Sequence, residues 1–178
     1  MRVFLLMIVL AVLTACSDSV SPESLKEEIT KKEDLLRKVP PGDNAAQETD
    51  AMRLELVDAL LNYYRTYPED DYAPECLDKV HFVYSGMRNY ATAAKYGDTL
   101  LEQYPKYVNR EMVIESQYNT YDMFLKPRDK EKAKYYLEMW LKEFPNMPAE
   151  KKEEIEYRLK YIDLTIEQIM EMQMTELK

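Results

Sequence analysis

Three segments of the chain close in the same way. Tyr64-Arg65-Thr66-Tyr67-Pro68, Leu101-Glu102-Gln103-Tyr104-Pro105 and Leu141-Lys142-Glu143-Phe144-Pro145 each end an amphipathic stretch with an aromatic residue and then proline. Proline has no amide hydrogen and clashes with the carbonyl four residues back, so each pair stops a helix. The prolines stand 37 and 40 residues apart. Matched stops at near-equal spacing mark a repeated helix-turn-helix unit. With 3 Gly in 178 residues there is little material for the corners that sandwiches and barrels need. The 15 Tyr, 4 Phe and 1 Trp supply more aromatic surface than unfolded segments carry. The expected fold class is all-α, with one body of helices.

The middle unit is the clearest. From Pro74, Leu77, Val80 and Tyr84 fall at i, i+3 and i+7 on one helical face. Arg88-Asn89 makes a turn, and Ala93, Gly97, Leu100 and Tyr104 line a second helix. The mid-helix Gly97 costs about 1 kcal/mol against Ala, which a close helix contact would offset. In the third unit Asn109 is placed to cap a helix carrying Ile114, Gln117 and Tyr121. Lys126-Pro127-Arg128-Asp129 breaks it, and Ala133, Leu137 and Trp140 form the second face. The first unit is degenerate. Ser21-Pro22-Glu23 starts a helix with Leu25, Ile29 and Leu36, and Pro40-Pro41-Gly42 ends it. Asn44 and Gln47 then form a capping box for a helix burying Leu56, Val57, Leu60 and Tyr64. After Pro148, Ile155, Leu159, Ile162, Ile166 and Ile169 step by four and three, which predicts one long heptad-type helix to the end of the chain. Its first half caps the stack. Met170, Met172 and Met174 share no stripe and suit either a protein contact or a frayed end.

Leu77, Val80, Tyr84 and Ala93 resemble the tetratricopeptide consensus, occupying its tryptophan, leucine, tyrosine and small-residue slots. His81 departs where the consensus has glycine, and Gly97 where it has an aromatic. The resemblance implies a tetratricopeptide-like helical-hairpin solenoid with a long C-terminal capping helix. It also implies that Glu75, Asp78, Phe82 and Ser85 of the middle unit face a concave groove, as do Met112, Glu115, Asn119 and Asp122 of the third. Those residues describe an acidic trough with Phe82 and Met112 as apolar anchors, suited to an extended segment with basic side chains. The same acids equally serve to keep an exposed face soluble. Repeats that grip an acidic tail use Lys and Asn where Asp78 and Phe82 stand, so that subtype is rejected.

The first residues are an address. Arg2 precedes an apolar run from Val3 to Leu13, too short to span a bilayer in a helix but suited to a signal peptide. Leu13-Thr14-Ala15-Cys16 resembles the lipobox of bacterial lipoproteins, which implies cleavage before Cys16 and acylation of its thiol and amino group. Ser17 after the cysteine favours the outer membrane by the enterobacterial sorting rule. The expected organisation is a signal peptide over 1–15, a lipidated tether over 16–23, helical repeats over 24–147 and the capping helix over 148–178. A net charge of −9 speaks against nucleic acid and against adsorption to anionic lipid. With Cys16 acylated, Cys76 has no disulfide partner and reads as a small buried hydrophobe.

No chemistry stands out. The single His excludes two-His zinc sites and His-based triads, and phosphate-loop and nucleophile-elbow patterns are missing. Glu69-Asp70-Asp71 after Pro68 lacks the alternate-residue ladder of a calcium loop, and His81 reads as interhelix packing. The expectation is a protein without enzymatic activity or cofactor. The run from Tyr67 to Glu75, with Tyr84, Asn89-Tyr90, Ala93 and Tyr104-Pro105, is similar to tetratricopeptide lipoproteins of the outer-membrane β-barrel assembly machinery. It also resembles the repeats of the periplasmic Tol–Pal coordinator. These resemblances imply a lipid-anchored adaptor on the periplasmic face of the outer membrane, with envelope or outer-membrane proteins as partners. A structural oligomer built through the C-terminal seam is the alternative.

Overall fold

The computed structural model describes residues 20–39 and 45–176, and among them every regular element is helical. The apolar leader, Cys16, the tether up to residue 19, the Pro40-Pro41-Gly42 stop and Asn44 lie outside the described residues, and the Gln47 side chain with them. The order is α1 (Pro22–Arg37), α2 (Ala45–Thr66), α3 (Ala73–Gly86), α4 (Tyr90–Gln103) and α5 (Arg110–Asn119). A π-helical turn follows at Thr120–Phe124, then α6 (Lys130–Glu143), α7 (Ala149–Lys160) and α8 (Ile166–Glu176). α1 takes in Pro22 and Glu23, so the helical body begins inside the span expected to be tether. Among the described residues no helix is long and apolar enough to cross a membrane.

Side-chain oxygens start several helices by accepting amide hydrogens that the first turn leaves without partners. Ser21 Oγ accepts from the Ser24 amide at 3.2 Å, Asn89 Oδ1 from Thr92 at 3.3 Å and Asp129 Oδ1 from Lys132 at 3.0 Å. Asn109 differs from expectation. It precedes α5 without capping it, and its Nδ2 donates to the Tyr107 hydroxyl at 3.3 Å instead. Between α3 and α4, Arg88 takes a left-handed φ of 58°. The Asn89 amide then donates to the Tyr84 carbonyl and the Arg88 amide to Ser85, both at 2.9 Å, closing the helix end.

The three aromatic-proline stops share one geometry. The amides of Tyr67, Tyr104 and Phe144 donate to the carbonyls four residues back at 2.9–3.0 Å. Three residues later, the amides of Asp70, Tyr107 and Met147 donate back to those same aromatic residues at 3.1–3.2 Å. Tyr104 and Phe144 have nearly identical backbone angles, φ −121° and −122°. The first two stops are also tied together: the Tyr104 hydroxyl donates to the Pro68 carbonyl at 2.7 Å. Sequence repetition has become repetition of local structure.

Each helix from α1 to α6 packs against the next one in the chain. Leu77, Val80, Ala93 and Ala133 are fully buried, so the small side chains lie where helices meet closely. Tyr84 stacks on Tyr96 with ring centroids 5.7 Å apart. Gly97 permits a closer approach still. A Cβ there would collide with the amide of Gln117, a fully buried residue of α5 whose Nε2 donates to the Ala94 carbonyl at 2.9 Å. The cost of a mid-helix glycine is thus matched by a helix contact that no larger residue allows.

The C-terminal reading needs correcting. The single long helix over 148–178 is two helices, α7 and α8, meeting at a corner over residues 161–165. Thr165 and Gln168 form a reciprocal capping box: the Thr165 amide donates to Gln168 Oε1 at 2.8 Å and the Gln168 amide to Thr165 Oγ1 at 3.3 Å. The corner's carbonyls are taken by guanidinium groups. Arg158 donates to Tyr161 at 2.7 Å and Leu164 at 3.0 Å, and Arg128 to Ile162 at 2.7 Å. A helix loses nothing by breaking where its carbonyls have such donors. Of the expected seam, Ile155 and Ile169 are buried while Leu159, Ile162 and Ile166 are partly exposed.

Candidate partner-binding surface

The structure distributes the eight expected groove residues over three places. Phe82 and Ser85 from α3, with Met112, Glu115 and Asn119 from α5, line one depression of about 270 Å³. Glu75 and Asp78, earlier on α3, line a separate cavity toward the turns between units. Asp122 lies in the interior. The α3 residues divide because a helix advances 1.5 Å per residue, which sets Glu75 and Phe82 about 10 Å apart along the axis.

Asp122 is a correction with a specific cause. The Leu125 amide donates to the Thr120 carbonyl at 2.9 Å, an i→i+5 bond, so this turn holds one residue more than an α-helical turn. That insertion rotates Asp122 off the groove register and brings Phe124, five residues after Asn119, onto it. The inward-turned Asp122 is 5% exposed and accepts from Arg128 Nε and Arg158 Nη2 at 2.7 Å and Arg158 Nε at 2.8 Å. It is a structural ion cluster that fixes the C-terminal corner. Asp78 is likewise no open groove acid: it is 8% exposed, and its Oδ2 accepts from the Tyr107 hydroxyl at 2.8 Å.

The acidic trough therefore does not exist as a run of free charge. Glu75 pairs with Lys79 at 3.0 Å, and Glu115 pairs with Lys151 at 2.9 Å. The side chains that the depression exposes are apolar. Phe82, Met112 and Phe124 are 55%, 59% and 46% exposed, high values for large apolar side chains that share one hollow. Tyr90 stacks on Phe124 with centroids 4.7 Å apart and forms the wall nearest α4. Tyr90, Ser116, Thr120 and Phe124 also line the depression although none was among the expected groove residues. Ser116 is held from below: the His81 Nδ1–H donates to the Ala93 carbonyl at 2.9 Å, leaving Nε2 to accept from the Ser116 hydroxyl at 2.7 Å. His81 is 1% exposed and ties α3, α4 and α5 together, in line with its reading as a packing residue.

A second polar centre braces the surface from behind. The Asp98 carboxylate of α4 accepts from the Tyr121 hydroxyl at 2.8 Å, from Lys132 at 3.0 Å, and from Tyr136 and Gln117. Burial first, then the hydrogen-bonded Asp98 charge, raises the Tyr121 and Tyr136 hydroxyls above the ordinary tyrosine value.

The groups that carry catalysis elsewhere have structural surroundings here. Cys76 is fully buried and its thiol is pushed up to about 12, chiefly by burial. Asp70 accepts from the Tyr72 amide at 2.9 Å and from Lys26 at 3.4 Å, and those contacts hold its carboxyl below the usual range. Among the described residues no group of three His, Cys, Asp or Glu converges as a metal-binding set.

No family model matches this chain, and neither a curated protein nor a solved structure does.

Proposed function

We propose that this protein is a lipid-anchored helical-repeat adaptor of tetratricopeptide type, without enzymatic activity, that binds protein segments at the bacterial cell envelope. Cys16 carries the anchor, the helical body stands on the periplasmic face of the outer membrane, and envelope or outer-membrane proteins are its partners. Outer-membrane protein assembly is the process that the resemblance favours. The repeat reading is supported by three stops of equal geometry, by packing between successive helices, and by the full burial of Leu77 and the two small residues Ala93 and Ala133.

One observation carries the binding reading. One turn of α3 and two of α5, expected from the sequence to face a partner, meet in a single hollow whose exposed side chains are Phe82, Met112 and Phe124. Completing the burial of one such half-exposed side chain against a partner is worth about 0.7–1.5 kcal/mol, before the cost of ordering the partner is subtracted. Three together suffice for a transient interaction. The depression's charge is neutralised, so apolar contact rather than salt-sensitive steering sets the affinity.

The test has two arms. Radiolabelled palmitate should enter the wild-type protein and not Cys16→Ala; labelling of the variant removes the anchor. The double variant Phe82→Ser, Met112→Ser should melt as wild type, since both residues are exposed, yet lose at least tenfold of the partner recovered by chemical crosslinking in intact envelopes. Equal recovery would move the binding surface elsewhere.

A further inference from the structure

The cavity that takes Glu75 and Asp78 is distinct from the Phe82 depression. It lies between the turn after Pro68 and the turn after Pro105 and measures about 700 Å³, within the range of ligand sites. Its lining holds five carboxylates, Glu69, Asp70, Asp71, Glu75 and Asp78, against two ammonium groups, Lys79 and Lys106. Lys79 is already engaged by Glu33 at 2.8 Å and by Glu75 at 3.0 Å. Among the described residues Glu69 and Asp71 are exposed and have no ion-pair partner within 4.0 Å.

Asp78 supplies a second, independent observation. It is 92% buried on the cavity wall, its Oδ2 is held by Tyr107, and its Oδ1 is buried with no hydrogen-bond donor. A buried carboxylate oxygen without a donor is costly, and a ligand that brings one removes that cost. The wall beside it is apolar: Pro74, Pro105 and Val108, the last 89% exposed. A charged donor at the tip of an aliphatic stem matches such a lining, which describes lysine and arginine. The carboxylates are spread along the wall and do not converge as a metal-binding set.

We propose that this cavity binds a lysine or arginine side chain of an extended partner segment, with the cationic head against Asp78 and Glu69-Asp71 at the mouth and an adjoining apolar residue covering Val108. The basic segment expected from the sequence is thereby assigned to the turns between units, while the Phe82 depression takes an apolar contact.

N-acetyl-arginine amide, titrated into the ¹⁵N-labelled full chain in neutral detergent, is the direct test. Backbone resonances of residues 70–79 and 103–109 should shift saturably, and the uncharged isostere N-acetyl-citrulline amide should leave them in place. Asp78→Asn keeps an oxygen for Tyr107 and should weaken the arginine probe at least tenfold. Glu69→Gln with Asp71→Asn alters only exposed groups, cannot act by unfolding, and should weaken it at least threefold. Equal response to citrulline, no saturable shift, or undiminished binding by both variants overturns the proposal. So does calcium chloride producing the same shifts and displacing the probe, which would make the site a metal site. None of these outcomes bears on the Phe82 depression, which the envelope crosslinking addresses separately.

Discussion

Gly97 and Gln117 form a pair in which each residue explains the other. The missing side chain of α4 makes room for an amide that is fully buried and bonded to the Ala94 carbonyl and to Asp98. Gly97→Ala should therefore destabilise the protein by about 1–3 kcal/mol through overpacking, although Ala is the better helix former by about 1 kcal/mol. Denaturant unfolding measures it, and adding Gln117→Ala should recover part of the loss. A stabilised single variant would show that the helices do not meet so closely. The tyrosines give a second prediction at this scale. Burial and Asp98 raise the hydroxyls of Tyr121 and Tyr136, and burial with Asp78 raises that of Tyr107. The unfolded chain thus releases these protons at lower pH than the native one, so stability is intact below about pH 10 and falls as pH rises above it. Absorbance at 295 nm should show these phenols ionising only together with unfolding. Ionisation of all 15 Tyr in one native transition near pH 10 would contradict the buried network.

At the scale of elements, most of the helices were readable in advance because their stops and starts are local. The Tyr67-Pro68, Tyr104-Pro105 and Phe144-Pro145 closures each ended a helix, and Ser21-Pro22 started one. Two features escaped for physical reasons. The π turn at Thr120–Phe124 carries no glycine or proline of its own, and it alone decides that Asp122 turns inward and Phe124 outward. The corner between α7 and α8 interrupts a heptad pattern that remains apolar across the break. Its local sign was the Thr165-Ile166-Glu167-Gln168 capping box, while the Arg158 and Arg128 donors, bound to Asp122, belong to tertiary structure. Asp122→Asn should expose how much depends on that cluster. It removes the negative charge shared by two guanidinium groups that are mostly shielded from water, a loss of about 3–5 kcal/mol. Hydrogen exchange should quicken first in residues 158–176, with α3 and α4 keeping their protection. Unchanged protection of the corner would mean that apolar packing, not the ion cluster, holds it.

Across the whole molecule, successive helices leave two kinds of surface on offer. Phe82, Met112 and Phe124 make an apolar hollow on the α3 and α5 side, and the turns between units make a carboxylate-lined cavity farther along α3. The resemblance grouped Phe82, Ser85, Met112, Glu115 and Asn119 with three others, and these five line the first. It erred on the charge of the surface because Lys151, Arg128 and Arg158, which neutralise Glu115 and Asp122, come from positions that no local pattern connects to them, whereas the Glu75–Lys79 pair is a local i,i+4 pattern. The break in the C-terminal seam also deprives a self-assembling coiled coil of the straight helix it requires. The central claim is that the Phe82 hollow is where a partner lies. A photoreactive residue placed at position 82 in the full chain, and in parallel at Tyr135, an exposed residue of the separate cavity over α4 and α6, tests it most directly in intact envelopes. The account predicts a discrete crosslinked protein from position 82 and none from position 135. Crosslinks from 135 alone, or equal yield from both, would contradict it.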